Sequence, residues 1–171
     1  MRKLLAAIAV ASLLLIPAIA NAADPFLEVN DPNDSPGRLD FEHLKGLKTS
    51  SASDLEITMK FRNAFQAKLL KRSGPNRVFV YFDSDDDRKT EYTGKIFKTS
   101  RLVMATSGQG SHFERLPVTK PNATTLKVTV PAGAPFNPNG PMRIAAKSFY
   151  SGTVCPTKCT DRVPSQGWVR V

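Results

Sequence analysis

The sequence predicts an all-β protein: a single antiparallel β-sandwich, of jelly-roll or immunoglobulin-like type, preceded by a signal peptide. Three observations predict it. Apolar and polar residues alternate with period two in segment after segment, Pro or Gly punctuates nearly every junction between them, and only one stretch, "NAFQAKLLKR" (63–72), has a composition suited to a helix. That stretch is about three turns long on helical geometry and is equally readable as strand or loop.

The chain opens "MRKLLAAIAVASLLLIPAIANA". Two cations, an uninterrupted apolar run over 4–15 and the small-x-small end Ala20-Asn21-Ala22 make a secretory signal. The apolar run is shorter than the roughly 20 residues that cross a bilayer, so no permanent membrane anchor is expected. Residues 1–22 are read as the signal peptide and 23–171 as one exported domain. Arg2 and Lys3 leave with the signal, so the net charge of +9 becomes +7. Such an excess favours anionic surroundings without naming one.

Along the mature chain, "ADPFLEVNDPNDSPGRLD" is turn chemistry, rich in Pro, Asp, Asn and Gly. A strand is predicted over 39–45, with Leu39 and Phe41 on one face. "DLEITMKF" (54–61) alternates most cleanly, Leu55, Ile57, Met59 and Phe61 against Glu56, Thr58 and Lys60. "RVFVYFD" (77–83) is apolar on both faces and rich in β-branched and aromatic residues, which predicts a central strand. "EYTGKIFKT", "RLVMATS", "TLKVTVP", "MRIAAKSFY" and "GWVRV" supply further strands.

Cys155 and Cys159, in "CPTKC", are the only cysteines. An even pair in an exported chain predicts a disulfide, here closing a short loop. A zinc site would need nitrogen ligands, and His43 and His112 are the only histidines.

The acidic stretch "YFDSDDDRKTEY" (81–92) carries the strongest hint of chemistry. Asp83, Asp85 and Asp87 alternate, and Glu91 follows, as in the start of an EF-hand calcium loop. The pattern then departs: the sixth position is Arg88 rather than Gly, and the twelfth is Gly94 rather than Glu. The segment is read first as a polar hairpin loop and second as a hard-cation site, with calcium as the ion and Asp83, Asp85, Asp87 and Glu91 as its ligands. A second loop offers Asp31, Asn33, Asp34 and Asp40 as oxygen donors, residues that Asx-turns also explain. Asp161 reads as an isolated carboxylate capping backbone N–H groups.

Catalytic patterns are weak. Ser111 and His112 are sequence neighbours, which on a strand point to opposite faces, and no G-x-S-x-G elbow occurs. The acids cluster on a loop tip, whereas glycosidases need two carboxyls facing across a cleft. No nucleic-acid module is recognisable, and "KLLKR" (68–72) is the one dense basic group, so no nucleic-acid partner is expected.

Three pieces carry a resemblance: "NDSPGRLDFEHL" (33–44), "VYFDSDDDRKTEY" (80–92) and "CPTKCTDRVPSQG" (155–167). In order and spacing the chain resembles small secreted β-sandwich proteins common in actinobacteria. More distantly it is similar to DOMON-like and carbohydrate-binding-module sandwiches. The close resemblance implies a fold with an acidic hairpin and a disulfide-bounded loop, followed by a turn at Asp161, Pro164 and Gly167. The distant one implies sugar, haem or metal binding.

The expected function is a secreted, non-enzymatic binding module for a cell-wall or extracellular glycan or polymer, with calcium held for structure. Two alternatives stand beside it: an extracellular hydrolase with dispersed carboxylates, and a protein-interaction or inhibitor domain.

Overall fold

The computed structural model describes residues 28–49, 54–108, 114–134 and 140–171. The signal segment 1–22 and the Ser111–His112 pair lie outside the described residues.

Among the described residues the chain makes eleven strands: β1 (Glu28–Asn30), β2 (Phe41–Lys48), β3 (Leu55–Phe61), β4 (Arg77–Asp83), β5 (Tyr92–Lys98), β6 (Leu102–Gly108), β7 (Arg115–Thr119), β8 (Thr125–Val130), β9 (Arg143–Gly152), β10 (Cys155–Val163) and β11 (Val169–Arg170). All strand pairs are antiparallel. They join in one path, β1-β2-β3-β8-β7-β6-β5-β4-β9-β10, with β11 added to β9. The antiparallel all-β class is as predicted, and the strands run as one nearly closed sheet. The helical candidate at 63–72 contains only a single 3₁₀ turn, Ala67–Leu69.

Alternation places the core. Leu55, Ile57, Met59 and Phe61 of β3 are buried, as are Leu126, Val128 and Val130 of β8. These two strands pair directly, so their apolar faces form one continuous inner surface. In β4 the inner residues are Val78, Val80 and Phe82, while Phe79 and Tyr81 point outward and are half-buried. β4 lies between β5 and β9, the central placement its two-sided apolar character predicts.

In β2 a register irregularity between Phe41 and His43 resets the alternation. Phe41 and Leu44 therefore both face the core, and His43 sits beside Glu28 at 3.7 Å, a structural position.

The two ends of the path meet. The Phe41 N–H of β2 donates to Asp161 of β10 at 2.5 Å, and the Ser148 hydroxyl of β9 donates to the Leu39 carbonyl. Val171 closes the same seam: its N–H donates to the Met142 carbonyl at 2.8 Å, and its side chain fills the space above Gly46 of β2. A methyl group on Gly46 would lie 2.3 Å from Val171 Cγ1, so glycine is what allows this approach.

Candidate functional site

The acidic stretch joins β4 to β5 as a hairpin loop, as its sequence predicts, and the loop organises itself around Asp83. This carboxylate is fully buried and accepts the backbone N–H groups of Asp87 (3.2 Å) and Arg88 (2.7 Å). Asp85 accepts the Asp87 N–H, Asp87 accepts the Lys89 N–H and ammonium, and Glu91 accepts the Ser84 N–H. Asp86 and Arg88 take positive φ, 67° and 70°, so the tip turns left-handed twice. Asp86 leaves the cluster and pairs with Arg143 of β9 and Arg170 of β11, anchoring the tip to the sheet. The Arg143 hydrogen bond holds Asp86 below the usual carboxylate range, and the Lys89 bond does the same for Asp87. One oxygen from each of Asp83, Asp85, Asp87 and Glu91 lies within 4.8 Å of the others. The predicted ligands do converge, with part of their accepting capacity taken by loop N–H groups.

A second convergence is larger in consequence. Asp31, Asp34, Asp40 and Asp161 also bring one carboxylate oxygen each within 4.8 Å of one another. Asp31, Asp40 and Asp161 are buried, at 3%, 1% and 5% exposure, and Asp34 is exposed. Asp31 and Asp34 come from the turn-rich segment after β1, Asp40 immediately precedes β2, and Asp161 lies on β10.

Burial does most to push Asp31 up, to about 7, and the charges of Asp161, Asp34 and Asp40, with a carboxyl hydrogen bond shared with Asp161, add to it. Asp40 rises to about 6 for the same reasons, against the opposing charge of Arg62. Asp161 is raised by burial, in part offset by the hydrogen bond from the Phe41 N–H. Arg62 Nε stands 3.3 Å from Asp40 Oδ2, close enough to pair in charge but without hydrogen-bonding geometry. The Ser35 N–H likewise lowers the Asp40 pKa, yet no hydrogen bond of ordinary geometry reaches either Asp40 oxygen.

Sequence reasoning offered Asp31, Asn33, Asp34 and Asp40 as donors from one loop and set Asp161 apart. Asp161 does cap a backbone N–H, as expected of it, but across the seam rather than within its own loop. Acids from opposite ends of the described chain share this site, and no local pattern announces that.

Cys155 and Cys159 are disulfide-bonded, with Cα atoms 5.8 Å apart. The bond brackets a register shift: Cys155 pairs with Gly152 and Cys159 with Tyr150, so the extra residues bulge out of β10. Lys158 sits in this bulge and lies over the Phe149 ring at 4.3 Å. The turn that follows is held by Arg162, which donates to the carbonyls of Pro164 and Gly167, and Gly167 has φ of 76°. Trp168 is half-buried beneath Arg162.

The surface grooves carry a different chemistry. The widest is walled by the 33–38 loop, Asn63, Gln66, Phe65 and Tyr150. It shares Arg38 and Gln66 with a second groove containing Lys68, Lys71 and Asn76. The second shares Pro75 with a third, where Phe79, Tyr81 and Phe149 meet Arg77 and Lys158. Among the described residues, no carboxylate lines any of the three. Across the strands beside the third groove, Lys95, Phe79, Lys147 and Arg162 stand in one cross-strand row. Burial, with the charges of Arg77 and Arg72, lowers the Lys95 pKa, as crowded cations should. Compared with protein-family models, with curated proteins and with solved structures, the chain matches none.

Proposed function

We propose that the protein is an exported, non-enzymatic binding module for an anionic glycan or related envelope polymer, gripped along the linked grooves. The observation that carries this is the track itself: three contiguous grooves lined by cations, amides and aromatic rings, with no carboxylate among the described residues that line them. An extended polyanion is the ligand such a track fits. Aromatic faces stack on apolar sugar faces, amides bond hydroxyls, and Arg38, Arg77 and Lys158 meet the charges. Phe149, with Lys147 at 5.2 Å and Lys158 at 4.3 Å from its ring, combines stacking and charge at one point.

The secreted location, the actinobacterial-type resemblance and the jelly-roll or immunoglobulin-like sandwich belong to the same proposal. Flattening of the curled sheet into two opposed layers would give that sandwich. The hydrolase alternative needs paired acids facing a cleft, and the linked grooves present bases and amides instead.

Co-sedimentation with purified bacterial cell wall tests the proposal. The protein should pellet with wall carrying anionic polymer and be released by soluble fragments of that polymer. Phe149→Ala with Lys158→Ala should weaken binding about tenfold, ~1.4 kcal/mol. Failure to pellet contradicts the proposal, and so does release by salt alone with no effect of the soluble fragments.

A further inference from the structure

We propose that Asp31, Asp34, Asp40 and Asp161 form a calcium site that bolts the closing seam of the sheet. The inference stands independently of the polymer ligand.

Proximity of acids is only the first observation. The second is that both oxygens of Asp31 and both of Asp40 are buried and accept no N–H of ordinary hydrogen-bonding geometry, leaving Asp31 only a proton shared with the Asp161 carboxyl. Buried polar groups are nearly always satisfied, and a buried carboxylate without donors is costly. Two buried carboxylates that no N–H satisfies, each offering one oxygen to a cluster with two further carboxylates, are a donor set of one sign. Arg62 balances at most one of the four charges, and its guanidinium also serves the Asp31 carbonyl. A cation of higher charge satisfies the remainder.

The contrast with the hairpin is informative. There the carboxylates are equally close, but each already accepts a loop N–H. Those acids have a structural explanation in the turn they build. Asp31 and Asp40 accept no such loop N–H in ordinary geometry.

Geometry selects the ion. Calcium–oxygen bonds run about 2.3–2.6 Å, so donors on opposite sides of one ion stand roughly 4.6–5.2 Å apart. The seam oxygens all lie within 4.8 Å of each other, a span a single ion can bridge. An all-oxygen, carboxylate-rich set is hard, which disfavours zinc and copper. Magnesium keeps several waters and avoids dedicated protein cages, whereas here three of four ligands are buried. The exposed Asp34 gives the ion a way in from solvent.

Position states what the ion does. Asp161 is on β10 at one end of the strand path, and Asp40 abuts β2 near the other. One ion shared between them ties the two ends together. It also fixes the 31–38 segment, whose Asn33, Ser35 and Arg38 wall the widest groove.

Calorimetric titration of the chelator-stripped protein with calcium chloride, and separately with magnesium chloride, tests the site. The parent protein should bind one calcium per chain, at least tenfold tighter than magnesium, and its melting temperature should rise with calcium. Asp34→Asn, an exposed change that leaves folding intact, should weaken calcium binding at least tenfold. Asp31→Asn should abolish it, with circular dichroism reporting that the variant is folded. Asp85→Asn with Asp87→Asn should leave it unchanged. No binding by the parent at 10 mM calcium (roughly the weak limit of extracellular sites) overturns the proposal. So does affinity that survives unchanged in Asp34→Asn.

Discussion

Asp31 is held beside Asp161, with which it can share a proton, and near Asp34 and Asp40, and no N–H reaches either of its oxygens. In the calcium-free protein this makes folding stability depend on pH. Burial and neighbouring acids raise the folded-state pKa to about 7, from an ordinary value of 3.8. The folded state therefore holds a proton that the unfolded chain has released. Stability from this source is complete below pH 3.8 and is lost as pH rises through about 7, with Asp40 following the same course to about 6. In chelator the melting temperature should accordingly fall between pH 4 and pH 7, and calcium should suppress that fall. Asp31→Asn removes the ionisable group. At pH 7 in chelator it should be more stable than the parent and melt at a higher temperature. In saturating calcium it should be less stable. A melting series with both proteins, with and without calcium, checks the crossing. An Asp31→Asn protein destabilised equally in both conditions would assign the residue a packing role only.

At the scale of elements, β10 is the segment whose behaviour is most specific. Its disulfide closes a loop so short that the chain-entropy model gives only about 2 kcal/mol. The geometric effect is greater: the bond stabilises the bulge between Cys155 and Cys159 that lays Lys158 over Phe149. Cys155→Ser with Cys159→Ser should cost about 2 kcal/mol in denaturant unfolding. It should also weaken wall binding severalfold, because Lys158 loses its fixed place. Unfolding and co-sedimentation run on the same variant separate the two effects. Strand content was legible where alternation is strict: β3 and β8 bury the residues their period-two pattern picks out. The hairpin was legible for a different reason, because Asp-rich turns write their own backbone hydrogen bonds into sequence. β10 was not, since its polar CPTKC opening reads as loop and its pairing depends on a bulge. Residues 63–72, readable in sequence as helix, strand or loop, form an irregular segment around one 3₁₀ turn in which Phe65 and Leu70 are buried.

The whole molecule is governed by how its sheet closes. Neighbouring strands announce themselves through alternation, but the meeting of β2 with β9 and β10 is a property of curvature summed over the whole path. That is why three of the four acids of the principal site were visible together in sequence and the fourth was not. Asp31, Asp34 and Asp40 stand together in one turn-rich segment, while Asp161 joins them only because the path returns on itself. The linked grooves are equally non-local: the 33–38 loop, the 63–76 segment and the outer faces of β4 and β9 become contiguous only in the folded chain. The seam is thus where closure, the buried acids and one wall of the groove coincide. A crystal structure of the protein grown with calcium tests this most directly. The account predicts one anomalous peak at the seam, about 2.4 Å from oxygens of Asp31, Asp34, Asp40 and Asp161. A seam without a peak, with its acids turned to other donors, would contradict it.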